Sequence, residues 1–286
     1  MSKAGIGSAV AALVLAAGLT GCGNDDGDGK GGDAQARPSA TPPARAVQDA
    51  YRRTVAADSA KIAVTSKVVA GDQAVTAHGD GVAALKDGSS RVTLTTRGAT
   101  VEQRVVDGVV YQKPSRGKQD AVPGGKTWAK IDLKRLAQRG SAGRSQVSDP
   151  AEPVRYLKNV GSEDVTRVGT QTLDGTRTTH YRVSVPVSVL SSGDAARERE
   201  LREQLGKSRL PVDLWLDGQG RLRQESVRVT LHPLVHKTPG RQDTAVTSTT
   251  VLRFSDYGTE ARVTAPPARD TADVTDKVAR TTAAAG

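Results

Sequence analysis

The sequence predicts an α+β fold, a meander of antiparallel strands with a few helices set against it. Three observations predict it. Between Lys61 and Phe254 apolar and β-branched residues recur at every second position in short runs, the spacing that gives a strand one apolar and one polar face. Turn-forming pairs such as Asp87-Gly88, Arg97-Gly98 and Asp107-Gly108 separate those runs, where tight hairpins need residues that tolerate positive φ. Three stretches, 44–57, 149–161 and 195–206, carry helical spacing or helix-end residues instead.

The elements follow in order. Residues 44–57 place Val47, Ala50, Tyr51, Thr54 and Val55 on one helical face, directly after Pro42 and Pro43. Ile62, Val64 and Val68 then alternate with Lys61, Thr65 and Lys67, and further strands are expected at 74–85, 91–96, 100–106 and 109–111. Residues 112–126 hold Pro114, Gly117, Pro123 and Gly124 and read as a loop, after which Trp128, Ile131 and Leu133 return to order. Asp149 as cap and Pro150 at the first position open a second helix that Gly161 closes. Strands at 165–169, 178–187, 210–216, 222–234 and 244–254 surround a helix at 195–206, whose alternating charges suit a solvated face. From Pro266 onward the chain is polar and Ala-rich, and a disordered tail is expected over 266–286.

The start of the chain carries an address. Lys3, the uncharged apolar run from Ala9 to Leu19 and the small residues after it form the three parts of an export signal over 1–21. That run falls short of the roughly 20 apolar residues a membrane-spanning helix needs. Residues 22–44 are mostly Gly, Asp, Ala, Pro and Ser and read as a flexible tether. Asn24, Asp26, Asp28, Gly29 and Gln35 fall at calcium-loop positions, but the opening Asp and the bidentate Glu are missing and no helices flank them, so a solvated linker fits better.

Composition narrows the chemistry. The formal charge of the 286-residue chain is +10, and losing Lys3 with the leader leaves +9. Basic residues are spread along the chain without the stripe of Arg and aromatics that a nucleic-acid platform needs, so no nucleic acid is expected. Outside a membrane such a charge favours anionic headgroups or wall polymers. Aromatic residues make up only 3%, so the core must be built from Val, Leu and Ala, and such a core can leave a cavity. His232 and His236 are four apart, but the strand pattern around Pro233 separates them by more than about 10 Å, so no metal site is expected. Gly-x-Ser-x-Gly and phosphate-loop spacings are missing, so neither an enzyme nor a cofactor is expected.

Leu19-Thr20-Gly21-Cys22 resembles the lipobox of bacterial lipoproteins. That resemblance implies a diacylglyceryl group on Cys22, cleavage after Gly21, and a domain anchored on the extracytoplasmic face of the cell membrane. Together with Val106-Asp107-Gly108-Val109-Val110-Tyr111, Trp128-Ala129-Lys130-Ile131, Asp149-Pro150, Val212-Asp213-Leu214-Trp215-Leu216-Asp217 and Phe254-Ser255-Asp256-Tyr257-Gly258, it resembles the actinobacterial LppX/LprA/LprF/LprG lipoprotein family, whose fold is of the LolA/LolB kind. The resemblance implies a strongly curved antiparallel sheet, a half-barrel, wrapped against a few helices over residues 45–265. It further implies an apolar cavity for lipid or glycolipid acyl chains, in a protein expected to be a monomer. Ile62, Val64, Val68, Val92, Leu94, Val101, Val183, Leu214 and Leu216 are the candidates to face that cavity, with Trp128 and Trp215 at its rim or core. The alternative is the same fold with a filled cavity, serving as a structural or regulatory docking or sensor domain at the cell surface.

Overall fold

A computed structural model describes residues 42–115, 117, 122–138, 157, 160–191, 194–232 and 245–284. The lipobox-like stretch with Cys22, the tether, His236 and nearly all of the helix expected from Asp149 lie outside the described residues.

Helix α1 (Pro43–Val55) opens on Pro43 at its first turn, where a missing N–H costs nothing. Its apolar stripe of Val47, Ala50, Tyr51 and Thr54 is buried. Five strands then meander: β1 (Ser59–Ala70), β2 (Gln73–Ala84), β3 (Ser90–Thr96), β4 (Ala99–Val106) and β5 (Val109–Pro114). Arg97-Gly98 and Asp107-Gly108 both have positive φ at both residues, the mirror-image turn whose twist matches a hairpin. Next come β6 (Trp128–Asp132) and the short helix α2 (Leu133–Gln138). Strands β7 (Val165–Leu173) and β8 (Thr176–Pro186) form a hairpin through Asp174-Gly175, followed by helices α3 (Val187–Leu190) and α4 (Ala195–Leu205). Strands β9 (Arg209–Asp217), β10 (Leu222–Leu231) and β11 (Val246–Ser255) complete the large sheet.

With a last short strand, β12 (Thr271–Asp273), all strands join one open sheet of twelve, in the order β12-β6-β5-β4-β3-β2-β1-β11-β10-β9-β8-β7. Every neighbouring pair but one is antiparallel. The exception corrects the expected disordered tail: β12 (Thr271–Asp273) pairs parallel with β6, and helix α5 (Thr275–Ala284) follows it. Small residues disguise this region, because α5 seats itself with Ala279 and Val278 rather than with large apolar groups. The Asp132 amide donates to Thr275 Oγ1 at 2.9 Å, and Asp273 caps the helix by accepting from the Thr275 amide at 3.0 Å.

Two apolar cores lie on the sheet. The larger packs α1 together with Leu157 and Val160 against β1–β3 and β7–β11. The smaller packs Val105, Val110 and Ile131 of the sheet against Leu133 and Leu136 of α2 and Ala279 of α5. The observed class is therefore the expected α+β one, a large antiparallel-dominated sheet that stays open, with few helices.

Candidate functional site

Register decides which side chains share a face. Val64 lies opposite Gly79 and Leu252, Gly79 opposite Leu94, and Leu94 opposite Val101. In the other direction Leu252 lies opposite Glu225, Glu225 opposite Leu214, and Leu214 opposite Tyr181. One row thus crosses eight strands. Because side chains alternate along a strand, Ile62, Val68, Val92, Val183 and Leu216 fall on the same inner face as Val64, Leu94, Val101 and Leu214.

Trp128 and Trp215 do not. Trp215 lies opposite Gln224 and His180 on the outer face, where the His180 ring stacks on it at 4.3 Å between centroids. His180 Nε2 is 2.8 Å from Asp213 Oδ1, which also accepts from Arg182 Nε at 3.0 Å. Trp128, likewise on the outer face, lies under the Arg104 guanidinium at 4.7 Å. Arg104 donates to Glu102 through Nε at 2.9 Å and Nη2 at 2.8 Å, and to the Thr264 carbonyl at 3.2 Å. Both tryptophans are buried, so they hold the outer face rather than rim an inner space. The signal was in the alternation: Trp215 sits between Leu214 and Leu216 and must point the other way.

The inner face changes along its length. Ile62, Val64, Val92, Val183, Leu214 and Leu216 are fully buried in the larger core, and Leu94 packs partly against it. Val68 and Val101 are only half-buried. Beyond Val68 the strip ends at Val75 and Leu231, which are 38% and 40% exposed. The opposite end is sealed. There Tyr257 donates its hydroxyl to the Leu222 carbonyl, and the Leu222 amide donates to Thr54 Oγ1 at 2.9 Å. Arg221 covers the Tyr257 ring at 4.4 Å and pairs with Asp217 at 2.9 Å. Burial, helped by the Asp217 carboxylate, pushes the Tyr257 phenol far above its ordinary range.

Polar groups interrupt this face, including Ser248 opposite Val68 and Thr96 opposite Ala77 toward the open end. Gln112 Nε2 donates to Gln103 Oε1 at 3.2 Å, Ser66 and Thr250 hydroxyls are 3.3 Å apart, and Glu225 is 7% exposed between two leucines of the sheet. Among the described residues no group of three His, Cys, Asp or Glu is placed to hold a metal ion. The sequence singled out neither Glu225 nor Gln103; the register alone puts them on the apolar side. Such a surface can exclude water from a hydrophobic chain.

No protein-family model matches the chain. It is 29% identical over 257 residues to an uncharacterised 31.2 kDa protein of Streptomyces griseus, covering 81% of this chain and 79% of that one. It is also 28% identical over 300 residues to a protein of Streptomyces coelicolor named as a candidate lipoprotein, covering 94% and 93%. Similar solved structures include the lipoprotein LppX of Mycobacterium tuberculosis, at TM-score 0.46 and 17% identity over 77% of this chain and 99% of that one. LprF of Mycobacterium bovis aligns at 0.40 and 14% identity over 78% and 96%. These are names from the group that the sequence phrases resemble.

Proposed function

We propose that this protein is a lipid-anchored module of the cell envelope that binds the acyl chains of a lipid or glycolipid against the inner face of its sheet. The observation that carries the reading is the mainly apolar inner face, buried at one end and open to water from Val68 to Leu231 at the other. Each CH₂ taken from water onto such a face contributes about 0.8 kcal/mol, so a fatty chain gains enough to be held without any charged contact. Leu19-Thr20-Gly21-Cys22 supports anchoring through a diacylglyceryl thioether at Cys22 on the extracytoplasmic side, and two acyl chains hold stably where one does not. The lipoprotein name of the Streptomyces coelicolor relative agrees with that anchor. The role is binding rather than catalysis, exercised by a monomer.

The second reading, a docking or sensor domain with a filled interior, is favoured by one feature. A Cβ at Gly79 would meet Leu94 Cδ2 at 2.6 Å and Val64 Cγ1 at 2.7 Å, so side chains already fill the face at that point. Native mass spectrometry of the chain purified gently from a producing host separates the two. Co-purified lipid, or displacement of an acyl probe by lipid, is expected; a chain that carries no lipid and binds no probe leaves the filled-interior reading standing.

A further inference from the structure

We propose that the rim where β1, β2, β10 and β11 meet their neighbours at the open end is a docking surface for an anionic phospholipid bilayer, turning the half-exposed apolar strip toward the lipid. The inference rests on the anchored-carrier reading above and adds which end of the molecule meets the membrane.

Three features converge on that rim. The first is apolar exposure: among the described residues, two of the three large hydrophobics that stand exposed, Val75 and Leu231, lie there. Val75 pairs with Val68, and Leu231 with Val246, so each is backed by a valine. The second is charge. Lys67 and Arg228 are exposed on the flanking face and aligned through Thr249. Arg97, in the β3–β4 turn, donates to the Ala74 carbonyl at 2.8 Å, which puts its guanidinium beside Val75. None of the three forms an ion pair among the described residues. Asp72 in the intervening turn opposes them, and α4 adds arginines and glutamates in equal number, three of each. At the sealed end Asp58, Asp87, Asp107, Asp174, Asp217 and Asp256 are offset by Arg53, Lys61, Lys86, Arg221 and Arg223, with Asp58, Asp217 and Asp256 held in ion pairs by Lys86, Arg221 and Lys61. A rim carrying unpaired basic side chains is drawn to a negative surface, whereas an end whose charges offset one another is not.

The third feature is where the anchor leaves. Gln48 in the first half of α1 donates to the Val160 carbonyl at 2.8 Å, beside the start of β7, whereas Thr54 in its last turn meets Leu222 at the sealed end. The β7 start lies in the row of Val183, Val212, Val227, Thr250 and Ser66, toward the open rim. The N-terminus of α1 therefore lies on the rim side.

Site-directed spin labelling on the anchored protein tests this. The thiol of Cys22 is consumed by its lipid, so Val75→Cys or Leu231→Cys gives a unique label, with Thr172→Cys near the sealed end as the control. In phosphatidylcholine vesicles containing phosphatidylglycerol the two rim labels are expected to be shielded from a water-soluble relaxant and reached by oxygen, and the Thr172 label to stay wet. Removing phosphatidylglycerol or raising salt should reverse the shielding, and Lys67→Glu, Arg97→Glu or Arg228→Glu should each lower the ratio of docked to undocked rim about fivefold, with thermal melts confirming the fold. Rim labels as wet as the Thr172 label, or shielding indifferent to lipid charge and to all three reversals, would overturn the proposal. Intact mass reads the anchor independently. A chain without diacylglyceryl refutes the anchor, and the same variants are then compared by co-sedimentation with vesicles. Loss of rim shielding with acyl-probe binding intact refutes only the docking.

Discussion

At the scale of single residues, the inner face is shaped by what is missing from it. A Cβ at Gly81 would sit 1.9 Å from the Arg91 carbonyl oxygen and 2.8 Å from the Val92 Cα. Glycine in a strand interior marks just such close backbone approach, and here it lies opposite Val92 of β3. Gly81→Ala is therefore expected to cost about 2 kcal/mol or more, a fall in Tm of roughly 4–8 °C for a chain of this size. Gly169→Ala, where a Cβ meets nothing within 4 Å, is the control and should leave the melt unchanged; equal melts for the two would refute the close approach. The candidate residues divide by burial. Leu214, fully buried, belongs to stability, and Leu214→Ala should cost about 2–5 kcal/mol. Half-buried Val68 should behave oppositely: Val68→Ser is expected to shift the melt little and to weaken acyl-probe binding severalfold in a fluorescence titration. Period-two spacing made the nine inner aliphatic residues legible in the sequence. The tryptophans were not, because a large ring draws attention as a ligand contact although its parity places it outside. What holds each ring, His180 for Trp215 and Arg104 for Trp128, comes from a neighbouring strand that no local pattern reveals.

At the scale of elements, legibility followed length and turn chemistry. Strands of ten or twelve residues such as β1, β2 and β11 repeat their period often enough to be read, and the Gly-containing pairs between them set the hairpins. Helix α3, four residues long, has no room for a period, and β12 has only three residues. The β12–α5 unit is held by Arg135, whose Nη2 donates to Asp273 Oδ1 at 2.8 Å, and by the Thr275 contacts. Burial alone would raise the Asp273 carboxyl, but hydrogen bonds from the Thr275 hydroxyl and amide and from Arg135 outweigh it and hold the carboxyl below its ordinary value. A group whose folded pKa is depressed contributes stability present above its unfolded pKa and lost as pH falls through the folded one. The contribution of Asp273 should thus be complete above about pH 4 and fade in stronger acid. Hydrogen exchange should show α5 opening in acid ahead of the large sheet, and Asp273→Asn should open it at neutral pH and remove its acid dependence. An α5 as protected at pH 3 as at pH 7 would contradict this role.

At the scale of the whole molecule, the sheet order joins two meanders at the β1–β11 pair, so the inner face is continuous although its two cores are separate. α1 closes one end of that face and leaves from the other. A tether of about twenty residues spans roughly 25 Å as a random coil, while a strand as long as β1, with 12 residues, extends about 40 Å. If the sealed end faced the bilayer, the half-exposed strip would be held a full strand length away, and a short tether would strand it there. With the open rim facing the lipid, α1 begins on the membrane side and the tether need not span the length of the domain. Deleting residues 24–37 should therefore lower acyl-probe uptake from the protein's own vesicle by less than about twofold, because the rim already lies at the surface. Delivery to a second vesicle should fall much further, since the shortened chain can no longer reach it. Stopped-flow fluorescence with donor lipid in one vesicle population reads both rates, and a collapse of uptake from the same vesicle would show that the domain feeds from its far end.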